Sequence, residues 1–343
     1  MKNKSYTMNI DRQKIKIVNY TPELHKALLV FMSKQYENRS VEYLNWWLTN
    51  LNEGGKELWS TAFVVFYDER IIGCYTSNPI SIAIKGKDIP MFYGGNAIIE
   101  SEYRGVGIGK MMYEEVFKHI YRISIGLTAA SYAIQTQKFK RCFPLNDIRV
   151  YVSANMYCFR SILNRFINET TSVIFPDKIR VSDYVFSHVK QFEDVEGFPE
   201  DGIWLNDEVE IKRSKEWLFS RFIDIYRKDY FIYVIRQSEQ LKGYAVFRKG
   251  RIYGVEFISI VDFRCKCVEL EKVITKAAHE IAKSNKVGFT FCMSSRYHSF
   301  IRFSPLTIRL KKKIKNVTCV ESIHDKDILF TSADSNLDFV YYE

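Results

Sequence analysis

The segment of this 343-residue chain with the most chemical content is Ile98-Ile99-Glu100-Ser101-Glu102-Tyr103-Arg104-Gly105-Val106-Gly107-Ile108-Gly109-Lys110. Three glycines alternate there with apolar residues, after a run that reads as a strand and before one that reads as an amphipathic helix. Glycine reaches left-handed backbone conformations and lets a ligand come close to the main chain. Successive N–H groups at a helix start make a concavity that suits an anion, and the helix dipole adds to the attraction. Arg104 and Lys110 place positive charge at the two ends of the loop. These residues suit a cradle for a pyrophosphate.

Spacing excludes two common pyrophosphate patterns. A dinucleotide fold needs G-x-G-x-x-G, and the order here is G-x-G-x-G. The gap of four residues before Gly-Lys-Ser/Thr in a P-loop is also absent. The segment resembles the acyl-CoA loop of the GNAT superfamily of N-acetyltransferases, Arg/Gln-x-x-Gly-x-Gly/Ala. Arg104, Gly107 and Gly109 occupy its three defined positions. The preceding Ile99-x-Ser101-Glu102-Tyr103-Arg104-Gly105 is similar to that family's V-x-P-E-Y-R-G run, with Ser101 in place of proline. The resemblance covers about Ile15–Phe143.

The resemblance implies acetyl-CoA as co-substrate and no metal. Loop residues Arg104, Gly105, Val106, Gly107, Ile108, Gly109 and Lys110 would hold the CoA phosphates. Ile98 and Ile99, on a strand that splays from its neighbour, would present backbone groups to pantetheine. The family's reaction is direct attack of a neutral amine on the thioester. It uses a general base or a water relay, and often a Tyr that protonates the departing thiolate. Glu100, at the strand end, is the candidate base, whereas Glu102 matches a position that is commonly a surface Glu. Tyr132 is the candidate acid, although the family's Tyr-x-x-x-Gly-Phe ending would fall on Lys138 and Cys142-Phe143. Tyr93 and Asn96, earlier on the same strand, are candidates for acceptor contact.

These residues need elements to position them. Lys14–Tyr20 alternates apolar and polar residues as a strand does, and Thr21-Pro22 then starts a helix to about Tyr36. Ser40 offers a second N-cap before Val41–Asn50. Leu58–Tyr67, Ile71–Ile84 and Met91–Ile99 read as strands. A helix from Gly109 to about Arg122 carries Met112, Val116 and Ile120 at a spacing of four. Ile123–Ala129 reads as a buried strand and Ser131–Phe143 as a further helix. The order is β-α-α-β-β-β-α-β-α.

A similar order recurs downstream: a helix over Lys215–Tyr226, a hairpin of Tyr230–Arg236 and Leu241–Phe247, the strand Val255–Phe263, the helix Val268–Lys283 and the strand Val287–Met293. Glu69-x-x-x-Gly73 and Glu239-x-x-x-Gly243 each fall in the first hairpin of their half. The repeat reads as a diverged internal duplication. The second copy has Asp262-Phe263-Arg264-Cys265-Lys266-Cys267 where the glycine loop would stand, so it lacks the cradle. The expected fold is α/β with mixed sheets: tandem GNAT-like domains, the acyl-CoA domain over 1–150, a connecting segment over 151–210 and a degenerate copy over 211–343.

Fifty Lys and Arg against 40 Asp and Glu give a net charge of +10, which suits an anionic ligand or surface. Gln191–Glu210 holds eight acidic residues and no basic one, while Arg309, Lys311, Lys312, Lys313 and Lys315 cluster near the C-terminus. That cluster reads as a solvated strand edge, and no nucleic-acid partner is expected. The seven cysteines include no CxxC pair, the six histidines no close pair. His119 and His279 read as helix residues in packing or surface roles. No stretch resembles a signal peptide, and no apolar run approaches the ~20 residues that cross a bilayer. A cytoplasmic protein without membrane insertion is expected, and no pattern sets its oligomeric state.

The reading that joins these features is acetyl transfer from acetyl-CoA to a primary amine of a small molecule, such as an aminosugar or a nucleotide sugar of surface-polysaccharide synthesis. FemAB-like aminoacyl transfer from charged tRNA is the second reading. A non-catalytic acyl-CoA-binding module is the third.

Overall fold

Alternating burial at the start of the chain forms β1 (Ile15–Asn19), and Pro22–Leu24 then turns the backbone into α1 (His25–Gln35). The computed structural model describes residues 10–36, 39–53, 55–118, 122–167, 169–205, 207–224, 229–265, 267–295 and 306–335. The chain divides into two units. The first takes in the described residues of Met1–Ile80, Pro90–Pro144 and Val317–His324, and the second those of Ser81–Ile89, Leu145–Asn316 and Asp325–Glu343.

In the first unit, α1 is followed by α2 (Val41–Glu53), α3 (Gly55–Trp59), β2 (Phe63–Tyr67), β3 (Arg70–Ile84, to Ile80), β4 (Lys87–Ile99, from Pro90), α4 (Ile108–Val116), β5 (Arg122–Leu127) and α5 (Ala129–Ala133). The strands lie in the order β1-β2-β3-β4-β5. β1–β2 and β2–β3 are antiparallel and β4–β5 is parallel. Ser40 caps α2 as expected, its hydroxyl accepting from the Tyr43 amide at 3.1 Å. That helix buries Leu44, Trp47, Leu48 and Leu51, and the Trp47 indole donates to Thr76 Oγ1 at 2.9 Å. A buried indole N–H needs such a partner. α4 stops at Val116, short of the expected Arg122, and Ile120 and His119 lie outside the described residues. The helix expected over Ser131–Phe143 is instead α5 followed by a π-helical turn, Ile134–Lys138.

The second unit holds β6 (Phe143–Ala154, from Leu145), α6 (Cys158–Ile167), β7 (Lys178–Val181), β8 (Tyr184–His188), β9 (Val209–Ile211), α7 (Lys215–Phe222), β10 (Tyr230–Gln237), β11 (Gln240–Ile252), β12 (Val255–Cys265), α8 (Val268–Ser284), β13 (Phe289–Ser294) and β14 (Thr307–Thr318, to Asn316). Its strand order is β14-β6-β13-β12-β11-β10-β8-β7. The stretch 151–210, expected as a connecting segment, thus carries α6, β7 and β8 as elements of this unit. α6 turns Ser161 and Asn164 inward and leaves Phe159, Leu163, Phe166 and Ile167 exposed. The acidic run 191–210 serves the backbone. Glu210 accepts from the Trp204 and Leu205 amides, both at 2.8 Å, and Asp194 accepts from those of Lys190 and Gln191. The basic run lies on β14, where Arg309, Lys311 and Lys313 are exposed. His279 is buried on α8 at 3.0 Å from Ser153 Oγ, and burial pushes its imidazole down to about 4.

The two units repeat one construction in detail. Val65 pairs with Gly73 in the β2–β3 hairpin, Ile235 pairs with Gly243 in the β10–β11 hairpin, and each register shifts immediately afterwards. A side chain at Gly73 would stand 2.9 Å from the Ile98 carbonyl, and one at Gly243 would overlap the Arg264 carbonyl. Both shared glycines are therefore needed where the next strand comes close. Each unit then has a parallel pair that separates partway along, β4–β5 after Gly94/Ser124 and β12–β13 after Ile260/Cys292.

In the second unit, the gap between the diverging strands holds the unit's own chain. Ser332 Oγ donates to the Val261 carbonyl at 2.8 Å, Ser294 bridges Thr331, and the Ser295 amide donates to the Phe330 carbonyl at 3.0 Å. Beneath this segment the fully buried Asp262 accepts from Arg213 Nε (3.1 Å), Arg264 Nη1 (3.2 Å), Tyr244 (2.7 Å) and Thr331 Oγ1 (2.6 Å). Burial pushes the carboxyl up, but the two guanidiniums and two hydroxyls hold it below the usual range. Asp262→Ala should cost about 3–5 kcal/mol, because it leaves two buried arginines without this partner. Urea unfolding followed by tryptophan fluorescence reads this directly, since Trp204 packs 5.1 Å from the Tyr244 ring. A loss below about 1 kcal/mol would contradict the ionic account of this core.

Candidate functional site

The first unit's parallel pair begins at Phe92↔Arg122 and ends at Gly94↔Ser124, although β4 continues to Ile99 and β5 to Leu127. Local sequence explains the separation. A side chain at Gly94 would overlap the Tyr75 hydroxyl, and one at Gly95 would lie 3.3 Å from the Trp47 ring. The next residue, Asn96, has φ of 51°, a left-handed conformation that breaks strand geometry. Asn96 is held there by its side chain, which accepts from Arg39 and donates to Thr76 Oγ1 at 3.2 Å. Beyond this point, among the described residues, the sheet order sets no strand between β4 and β5. The inner edges of both have no strand partner there among the described residues.

β4 ends at the glycine loop. Gly105 has φ of 86° and Gly107 of 96°, and Gly107 is the N-cap of α4. The amides of Lys110 and Met111 donate to the Gly107 carbonyl at 3.0 and 3.1 Å. Those of Gly105, Val106, Gly107, Ile108 and Gly109 donate to no acceptor among the described residues. A Cβ at Gly105 or Gly109 would meet nothing within 4 Å, so the loop surface is bare. Five free amides at a helix start, with no side chain over them, can coordinate anionic oxygens. The chain's own residues therefore fit a pyrophosphate.

The charged residues around the loop divide by role. Arg104 Nε donates to the Ile99 carbonyl at 2.7 Å and ties the loop to the end of β4. Lys110 is half exposed, 3.6 Å from Glu114. Arg12 donates through Nη2 to the Val106 carbonyl at 2.9 Å, and the same nitrogen is 3.4 Å from where a Cβ on Gly107 would be. Sequence reasoning missed Arg12. It lies 94 positions from Val106, and only the strand order reveals the contact.

The other candidates fall into two groups. Glu100 closes β4, its amide donating to the Ile72 carbonyl at 2.8 Å. Its side chain is 16% exposed; Oε1 accepts from Arg70 at 2.6 Å, and Oε2 is buried with no hydrogen-bond partner among the described residues. Ile98 directs its carbonyl toward β3, and alternation turns Ala97 and Ile99 toward the gap. Tyr93 and Tyr132 are engaged in packing. Tyr93 meets the Trp47 ring edge-on at 6.2 Å, and Tyr132 lies against the first unit's core. Tyr75, missed in the sequence, stands at the point of separation. Its hydroxyl is buried without a hydrogen-bond partner among the described residues, and burial pushes its pKa up.

No family model and no curated protein sequence matches this chain. Solved structures do match it. N-myristoyltransferase of Saccharomyces cerevisiae, with bound myristoyl-CoA, aligns at a TM-score of 0.58 and 11% identity, over 91% of this chain and 80% of that one. A GCN5-related N-acetyltransferase from Anabaena variabilis ATCC 29413 gives 0.56 and 12%, over 89% and 72%. A probable N-acyltransferase from Enterococcus faecalis V583, a conserved protein of unknown function, gives 0.57 and 14%, over 88% and 72%. The chain has a GNAT-like fold, a mixed α/β architecture shared with acyl-CoA N-acyltransferases. Among the described residues, no helix is long and apolar enough to cross a membrane.

Gly109 has an ordinary φ and open space around it, which makes it the clean probe of the cradle. Gly109→Ala should fold and bind acetyl-CoA within a few-fold of the native chain. Gly109→Glu should fold equally well and bind at least ~100-fold more weakly, because a carboxylate then occupies the anion cradle. Isothermal calorimetry, with circular dichroism as the folding control, distinguishes these outcomes. Arg12→Ala should weaken binding about tenfold and flatten its salt dependence.

Proposed function

We propose that the chain is an acyl-CoA-dependent N-acyltransferase that moves an acetyl group from acetyl-CoA to a primary amine of a small molecule. The observation that carries this reading is the pairing of a strand gap with a free-amide loop at its mouth, in the first unit. Residues Gly105 to Gly109, with Arg12 and Lys110, would hold the pyrophosphate. The backbone of Ile99 and Ala97 would receive pantetheine; Ile98, the other residue expected there, faces β3 instead. The acyl thioester would then lie near the point where β4 and β5 separate. The first unit is the CoA-binding domain in this reading and the second a degenerate copy. A cytoplasmic setting agrees with it.

The amine must reach the thioester uncharged. Glu100 is the proposed base and would act through a relay of water, because it stands at the loop end of β4, well along the strand from the Gly94/Ser124 pair, with one carboxylate oxygen fixed by Arg70 and the other without a hydrogen-bond partner among the described residues. Tyr132 is proposed to protonate the departing thiolate, and Asn96 and Tyr93 to line the acceptor side. An aminosugar or nucleotide sugar is the acceptor class proposed first.

A screen of aminosugar nucleotides, polyamines and peptides for CoA thiol release tests the proposal. Release that depends on one amine class and is lost in Gly109→Glu is the expected result. Tight acetyl-CoA binding with no release from any amine would favour an acyl-CoA-binding module. Binding of charged tRNA in place of acetyl-CoA would favour aminoacyl transfer. With an acceptor in hand, Glu100→Gln should keep the Arg70 contact and lower kcat about 100-fold, with KM for acetyl-CoA unchanged. A kcat within about threefold of native would remove Glu100 as the base and leave a water relay.

A further inference from the structure

Two cysteines in the first unit form an arrangement that the transfer reaction does not use. Cys142 follows the π-helical turn after α5, and Cys319 follows β14. They are 177 positions apart in sequence, yet their sulfurs stand 3.2 Å apart. Arg122, only 3% exposed, brings Nη2 to 3.6 Å from Cys319 Sγ and donates through Nη1 to the Val116 carbonyl at 2.9 Å. Cys142 Sγ also reaches Gln135 Oε1 at 3.9 Å. The Cys319 amide donates to the Arg122 carbonyl at 3.0 Å, which holds the second sulfur beside the first.

The pair is asymmetric. Cys319 is partly accessible, whereas Cys142 is buried. The hydrogen bond with Cys142, with Arg122 adding to it, brings the Cys319 thiol down to about 6. The same hydrogen bond, together with burial, pushes Cys142 up. A buried cysteine with no second thiol acting on it behaves differently, as burial pushes Cys74 up to about 12 although Arg39 opposes the shift. A partly exposed thiol beside a cation, with a second thiol in contact, is the arrangement of an attacking and a resolving cysteine.

We propose that Cys142 and Cys319 form a reversible dithiol–disulfide site whose oxidant is a small-molecule disulfide such as glutathione disulfide. The Cys319 thiolate attacks one glutathione sulfur, forming a mixed disulfide and expelling one glutathione thiolate. Cys142 gives up its proton to that thiolate and attacks Cys319 Sγ. The Cys142–Cys319 bond forms as the second glutathione thiolate leaves, to be protonated by solvent. The protein loses two electrons, and glutathione disulfide gains them as two thiols. The sulfurs close from 3.2 Å to about 2.05 Å. The bond would tie the end of the α5 segment, which carries Tyr132, to the end of β14.

The test uses the full chain, incubated folded with glutathione disulfide and then alkylated in denaturant. The reduced chain has seven alkylatable cysteines. The oxidised chain should show two fewer, a mass lower by about two hydrogens and a linked Cys142–Cys319 peptide. Cys142→Ser should instead accumulate glutathione on Cys319, since no resolving thiol remains. Seven alkylated cysteines after oxidation of folded protein would overturn the proposal. So would a disulfide mapped to another pair, or a Cys142→Ser chain whose only adduct lies on the exposed Cys267.

Discussion

The structure of the first unit turns on the place where β4 stops pairing with β5. A parallel pair normally continues as long as both strands do, since each unpaired backbone group must find another partner. Here the pairing ends at Gly94 while both strands run on. Gly94 makes room for the Tyr75 hydroxyl, Gly95 passes the Trp47 ring, and the left-handed Asn96 is anchored by Arg39 and Thr76. Trp47 is held in turn by its own bond to Thr76, so α2 and β3 jointly set the position of the break. The glycine loop matters because it lies at the open end of that break, and Arg104 bonds it to the last carbonyl of β4.

The second unit shows what happens to the same gap without a loop. Its strands separate at an equivalent place, next to a register irregularity in β12 opposite Val246/Phe247. The backbone groups exposed by separation are satisfied by Phe330–Ser332, and Asp262 gathers two arginines and two hydroxyls below. One unit leaves its inner strand edges open beside free amides. The other satisfies them with its own chain. This contrast supports a division of labour between the copies, which the missing glycines in 262–267 had suggested.

Much of this was legible in the sequence where local chemistry decides the outcome. The loop glycines, the Ser40 cap and the repeated hairpin glycines each meet a steric or hydrogen-bonding demand that local spacing reveals. Elements set by distant partners were not legible. Of β14 only the basic run over 309–315 was legible, as a solvated strand edge, and β6 begins beside Pro144. α6 inverts the usual pattern by burying Ser161 and Asn164, so its apolar residues gave no inward stripe. Arg12 reaches the loop across 94 positions, and Cys319 reaches Cys142 across 177. Neither contact leaves a trace in local spacing. The basic surplus is now partly placed: Arg12 and Lys110 flank the loop, Arg213 and Arg264 are neutralised inside the second unit, and Arg309, Lys311 and Lys313 lie in solvent.

The central claim is that acyl-CoA is held by the first unit's loop and strand gap and not by the second unit's. Backbone hydrogen–deuterium exchange with and without acetyl-CoA addresses it most directly, because the groups proposed to bind are themselves amides. The account predicts slowed exchange at Gly105–Gly109, Ala97 and Ile99, with Val261–Cys265 and Phe330–Ser332 unchanged. Unchanged exchange at the loop under saturating ligand, or protection confined to the second unit's segments, would contradict it.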